Sequence, residues 1–86
     1  MMLGLALSQR TIEGFVFDNS TGDPIDGVNI SVEGVGAGTF TDKRGRFSLL
    51  IEVPEVTLFV KHIAYENTDF AIKKIDSYVS IGLTPE

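Results

Sequence analysis

Hydrophobic and polar residues alternate with a period of two along most of this chain. Val28, Ile30 and Val32 alternate with Asn29, Ser31 and Glu33. Phe47, Leu49 and Ile51 alternate with Ser48, Leu50 and Glu52, and Leu58 and Val60 share one face of "VTLFVKH". Alternation of this kind marks half-buried β-strands. No stretch combines helical periodicity with helical propensity; "FAIKKI" comes nearest and is short. Seven strands are predicted, at 11–17, 27–33, 38–42, 46–52, 56–62, 67–73 and 78–84.

Turn formers separate these runs at intervals of roughly 8–12 residues, the spacing of a sandwich or barrel. Asn19 to Gly22 suits a type I turn, and Pro24 to Gly27 a second turn. The glycine-rich Glu33–Gly38 reads as a corner where the chain changes sheets, and Pro54 breaks the chain between two strands. Asp42, Lys43, Arg44 and Gly45 read as the four positions of a hairpin turn. There, Asp42 accepts a backbone hydrogen bond, and Gly45 supplies the positive φ of a bulge.

Seven short strands without helices imply an all-β fold of two packed antiparallel sheets. The alternation assigns its core to Ile12, Val16, Val28, Ile30, Val32, Phe47, Leu49, Leu58, Val60, Val79, Ile81 and Leu83. Strand 56–62 resists one register, because Phe59 and Ile63 are apolar on the face opposite Leu58 and Val60. Either a bulge near Lys61 or a second covered face reconciles them.

Composition narrows the function classes. Eighty-six residues make one small domain, and 43% hydrophobic content is that of a globular chain. A net charge of −5 lacks the broad basic face that nucleic-acid binding needs. The absence of cysteine excludes a disulfide scaffold, a thiolate metal site, a cysteine nucleophile and a lipidated cysteine. No run approaches the ~20 apolar residues of a membrane-spanning helix. "MMLGLALSQ" is apolar and then turns polar, like the end of a secretory signal's apolar core. Ala6-Leu7-Ser8 fits a small-x-small cleavage site. Residues 1–8 are therefore read as a signal-peptide remnant, or otherwise as a disordered or edge-pairing tail, ahead of a domain at 9–86.

Catalytic and metal chemistry find little here. A triad could be written from Ser48 or Ser80, His62 and Asp76, but nothing local marks either serine as a nucleophile. "DNSTGD" begins like a calcium loop, yet Asp23 stands where such a loop needs glycine and Asn29 where it needs glutamate. Asp18 and Asp23 read instead as turn-capping residues, with weak binding of a surface cation as the alternative. Neither a metal nor a cofactor is implied. Lys43, Arg44 and Arg46 are a local cationic concentration in an acidic chain. They are either soluble turn residues or a docking point for an acidic partner or glycan.

The order of these features is similar to that of the carboxypeptidase-regulatory-like domain. Gly14, Val16 and Asp18 match its Gly-x-Val-x-Asp opening, and Thr21, Gly22, Pro24, Ile25, Gly27 and Val28 its next motif. Gly38, Thr39, Thr41, Asp42, Gly45, Phe47 and Leu49 match its Gly-Thr-x-Thr-Asp-x-x-Gly-x-Phe-x-Leu. "HIAYENTDFAI" resembles its Ile-Gly-Tyr segment, with Ala64 where glycine is common.

The resemblance implies a seven-stranded transthyretin-like (Ig-like) β-sandwich. It implies a non-catalytic accessory domain of an exported bacterial protein, such as the N-terminal extension of a TonB-dependent outer-membrane receptor. The parent outer-membrane or surface protein, and a periplasmic or surface protein, are then the expected partners. A glycan-binding module and a structural spacer are the alternatives. Transthyretin-like sandwiches also include a urate-pathway hydrolase with several histidines, and dioxygenases that hold iron with two tyrosines and two histidines. One histidine cannot supply either set.

Overall fold

The computed structural model describes residues 9–35 and 38–86. The signal remnant expected at 1–8 lies outside them. The seven strands are β1 (Arg10–Asp18), β2 (Asn29–Val32), β3 (Gly38–Phe40), β4 (Arg46–Ile51), β5 (Val56–Lys61), β6 (Thr68–Ile72) and β7 (Tyr78–Leu83). They form a three-stranded sheet ordered β4-β1-β7 and a four-stranded sheet ordered β3-β2-β5-β6. Every third strand thus enters the smaller sheet, and the pairs between them fill the larger one.

The core lies between the sheets, and the alternation decides it. All twelve residues assigned from the pattern are buried, joined by Ile25, Ile51 and Ile72. Ile25 escapes a periodicity argument because it sits in the long β1–β2 connection. That connection folds back on β1. The N–H of Asp18 reaches the Asp23 carbonyl at 2.8 Å, and the N–H of Ile25 reaches the Val16 carbonyl at 3.1 Å.

One strand pair departs from the expected antiparallel arrangement. β1 and β7 run parallel, with Glu13 opposite Tyr78 and Asp18 opposite Leu83. A parallel pair requires a long crossover, and five strands intervene between these two.

Two connections exchange their predicted roles. Glu33–Gly38 does not change sheets: β2 and β3 pair directly, with Ser31 opposite Gly38. Asp42–Gly45 does not close a hairpin, because β3 and β4 belong to different sheets. Before this turn, the Thr41 N–H still bonds the carbonyl of Val28, the residue leading into β2 (3.0 Å). After it, the Gly45 carbonyl accepts the N–H of Val16 in β1 (2.8 Å). A tight turn with an Asx residue and a glycine suits either task, so local sequence could not separate them.

No bulge is needed in β5. Its pairing with β2 runs unbroken from Val32 opposite Leu58 to Asn29 opposite Lys61. Ile63 falls beyond the strand, in a turn where the Tyr65 N–H bonds the His62 carbonyl at 3.0 Å, and it is 93% exposed. Phe59 is half-buried on the outer face, between Ser31 and Asp69 of the neighbouring strands. The β1–β2 turn also starts one residue earlier than predicted. The Gly22 N–H bonds the Asp18 carbonyl at 2.7 Å, with Gly22 at φ 83°.

Candidate functional site

The cationic stretch sits where the chain passes between the sheets. Asp42 organises it. One carboxylate oxygen, Oδ1, accepts the N–H of Arg44 at 2.8 Å and that of Arg46 at 3.0 Å. The Gly45 N–H closes the turn on the Asp42 carbonyl at 2.9 Å. The backbone N–H groups of Arg46 and Arg44, and then their positive charges, hold the Asp42 carboxyl below the usual aspartate pKa.

Gly45 meets two demands at once. Its φ is 74°, and a β-carbon there would stand 2.5 Å from the Val16 carbonyl oxygen and 3.1 Å from Cβ of Pro24. It is therefore the buried junction of the turn, β1 and the 23–25 segment.

The three cations do not form one patch of uniform character. Lys43 and Arg44 occupy the exposed tip. Arg46 opens β4 on the outer face of the smaller sheet, because Phe47 takes the inner one. There Arg46 is the cross-strand partner of Phe15. Phe15 stacks on Phe17, with ring centroids 5.7 Å apart and planes 18° from parallel. The result is an exposed pair of charges at a tip, and a third charge beside an aromatic ridge.

A second polar cluster ties the opposite sheet to β1. Asp18 Oδ1 accepts the N–H groups of Ser20 (2.6 Å) and Thr21 (3.2 Å), and its Oδ2 accepts the Tyr65 hydroxyl at 2.7 Å. Chiefly through the Tyr65 hydroxyl, the Asp18 carboxyl is held below its ordinary pKa. The same bond pushes the Tyr65 hydroxyl up. Among the described residues no group of three or more histidine or acidic side chains is arranged to hold a metal ion.

The residues of the paper triad do not converge. His62 Nδ1 accepts the Ala64 N–H at 3.1 Å, and its ring meets Tyr65 edge-on at 5.3 Å. Asp76 Oδ2 accepts the Lys73 N–H at 2.8 Å. Ser48 and Ser80 are exposed on the outer face of the other sheet.

Three further residues matter: Arg10 carries no sequence signal of its own, and Thr41 and Gly14 stand out only as positions of the family's motifs. Arg10 donates to four backbone carbonyls: those of Lys74 (2.5 Å) and Asp76 (2.6 Å) through Nη1, and those of Pro54 (2.6 Å) and Lys73 (2.8 Å) through Nη2. It thereby joins the β4–β5 and β6–β7 connections. Thr41 is the one buried polar residue among those described. Its hydroxyl donates to the Ile25 carbonyl (2.7 Å) and accepts the Val28 N–H (2.9 Å). Gly14 lies opposite Phe47.

A depression of about 420 Å³ is lined by Gly27, Lys61, His62, Ile63 and Asn67. Its only aromatic ring belongs to His62, whose ring packs edge-on against Tyr65.

Comparison with known proteins agrees with this architecture. The model of the CarboxypepD_reg-like domain matches residues 12–84. The TonB-dependent receptor SusC of Bacteroides thetaiotaomicron is 34% identical over 64 residues. That match takes in 74% of this chain but only 6% of the receptor. Among solved structures, a chain of a type II cohesin–X-dockerin complex from Acetivibrio cellulolyticus superposes with a TM-score of 0.61. The superposition covers 86% of this chain and 51% of that one, at 21% identity, and so speaks to the fold alone.

Proposed function

Since the chain belongs to the CarboxypepD_reg-like domain family, we propose that it is a non-catalytic accessory and interaction domain of an exported bacterial receptor. The observation that carries this reading is the 34% identity to a short part of SusC, a TonB-dependent receptor. On this reading the domain stands on the periplasmic side of the outer membrane, attached to a much larger transport protein. Its work is protein–protein contact. The exposed tip of Lys43 and Arg44, with Arg46 beside the Phe15–Phe17 ridge, is the surface offered to an acidic partner. Charge at such an exposed site acts mainly on encounter rate and orientation.

The glycan-binding alternative has less support. Exposed aromatic side chains are scattered: Phe40 on β3 and Tyr78 on β7 belong to different sheets. In-frame deletion of residues 9–86 from the parent receptor tests the proposal. Nutrient uptake should fall while the amount of receptor in the outer membrane stays constant. Lys43→Glu with Arg44→Glu should reproduce part of that loss. Unchanged uptake in the deletion would overturn the interaction role and leave a spacer.

A further inference from the structure

The four sheet edges of this molecule are not equally defended. β3 is only three residues long. β4 begins with Arg46, and β6 carries Asp69 and runs into Lys73 and Lys74. β7 is six residues long, and "YVSIGL" contains neither a charge nor a proline. An open, regular and uncharged edge is a template for another strand.

The backbone groups offered there can be assigned. The Glu13 N–H bonds the Ser77 carbonyl (3.0 Å), and the Asn19 N–H bonds the Leu83 carbonyl (2.9 Å). The ladder repeats every two residues. Ser77, Val79, Ile81 and Leu83 therefore direct their N–H and C=O groups at β1, whereas Tyr78, Ser80 and Gly82 direct theirs outward. Among the described residues nothing bonds that side between Tyr78 and Gly82; just past the strand the Thr84 carbonyl accepts the Glu66 N–H (2.9 Å), so the open edge is confined to these residues.

We propose that β7 pairs antiparallel with β7 of a second copy of this chain, about a twofold axis through Ser80. This register places all three outward-facing residues opposite one another: Ser80 against its copy, and Tyr78 against Gly82 twice. The side chains fit it. Tyr78 is 59% exposed, and Gly82 presents no side chain. Within one molecule the Asn19 side chain lies closest over Gly82, with the Phe17 ring beside it, 3.0 Å from where a β-carbon would stand. The partner's Tyr78 meets this Asn19–Phe17 cover from the other side. The absence of charge in β7 means that an acidic chain brings no like charges face to face along the pairing strands. The contact is small, well under the ~1,200 Å² of stable complexes, so the dimer is transient.

Covalent capture suits a transient contact. The chain has no cysteine, so Ser80→Cys creates one thiol per molecule. Opposed residues in such a pair have Cα atoms ~5.5 Å apart, within disulfide range. Ser48→Cys is the control, exposed on the same face but on the other edge strand. With the full chain at equal concentration, Ser80→Cys should form linked dimers at least about ten times faster under mild oxidation or with a short bis-maleimide. Adding Tyr78→Lys should return that rate to the control's. In the wild type, the amide resonances of Tyr78, Ser80 and Gly82 should shift on dilution. Equal rates for the two single-cysteine variants, or concentration-independent amides, would overturn the proposal and leave this edge to a strand from a different protein.

Discussion

The ring of Phe47 occupies the space that a β-carbon on Gly14 would need. The two residues face each other across β1 and β4, both on the core side. Gly14→Ala therefore forces the ring out of place, with a cost of about 1–3 kcal/mol for an overpacked core. Urea unfolding should show it as a lower midpoint with an unchanged slope. Phe47→Leu in the same chain should recover part of the loss, and strict additivity of the two changes would refute the contact.

Gly45 and Gly22 separate backbone strain from crowding. Both have positive φ, but a β-carbon on Gly22 meets nothing within 4 Å, whereas one on Gly45 meets Val16, Pro24 and Ile25. Gly22→Ala should lose roughly 1 kcal/mol from its φ alone. Gly45→Ala should lose about 3 kcal/mol or more as strain and overlap add. Lys43→Ala, at the exposed tip, should stay within about 0.5 kcal/mol of the wild type. Equal melting temperatures for the two glycine variants would contradict the junction at Gly45.

Thr41→Val keeps the shape of the side chain and removes two buried hydrogen bonds. The Ile25 carbonyl and Val28 N–H are then left unpaired, at about 1–3 kcal/mol. Thr41→Ser retains the hydroxyl and should lose less. Hydrogen exchange at Val28 should accelerate in the valine variant far more than in the serine variant.

The Asp18–Tyr65 bond makes stability depend on pH in a defined direction. The carboxyls of Asp18 and Asp42 are depressed in the folded chain. Their contribution is thus complete above the ordinary aspartate pKa of about 3.9 and disappears as pH falls through the lower folded values. The Tyr65 hydroxyl is raised. Its contribution is complete below about pH 10 and is lost as pH rises through the folded value. Tyr65→Phe should flatten both limbs of a plot of unfolding midpoint against pH, while Asp42→Asn should flatten the acid limb alone.

The strands were legible because alternation reports which side chains face inward, and their predicted limits agree with the structure to within two residues. Pairing was not legible, because alternation is local and says nothing about which strand lies alongside. That is why Asp42–Gly45 looks like a hairpin although it crosses between sheets, and why the parallel β1–β7 contact has no sequence signal. The polar ties fall outside sequence reading for the same reason. Tyr65 lies 47 positions from Asp18, and Arg10 reaches carbonyls 44 to 66 positions away. The positive φ and carboxylate cap of a turn are short-range features, so Asp42 and Gly45 could be picked out where those partners could not.

The parallel pairing of β1 and β7 gives the domain a mechanical axis. The chain enters β1 at Arg10 and leaves β7 at Leu83, at opposite ends of two adjacent strands. The nine residues of β1 put those points about 30 Å apart at a strand's rise per residue. Tension applied through the two ends slides β1 and β7 past each other in shear, so the hydrogen bonds between them bear it together rather than opening one by one. A pull on the domain is therefore met by its longest strand and by the whole length of its parallel seam.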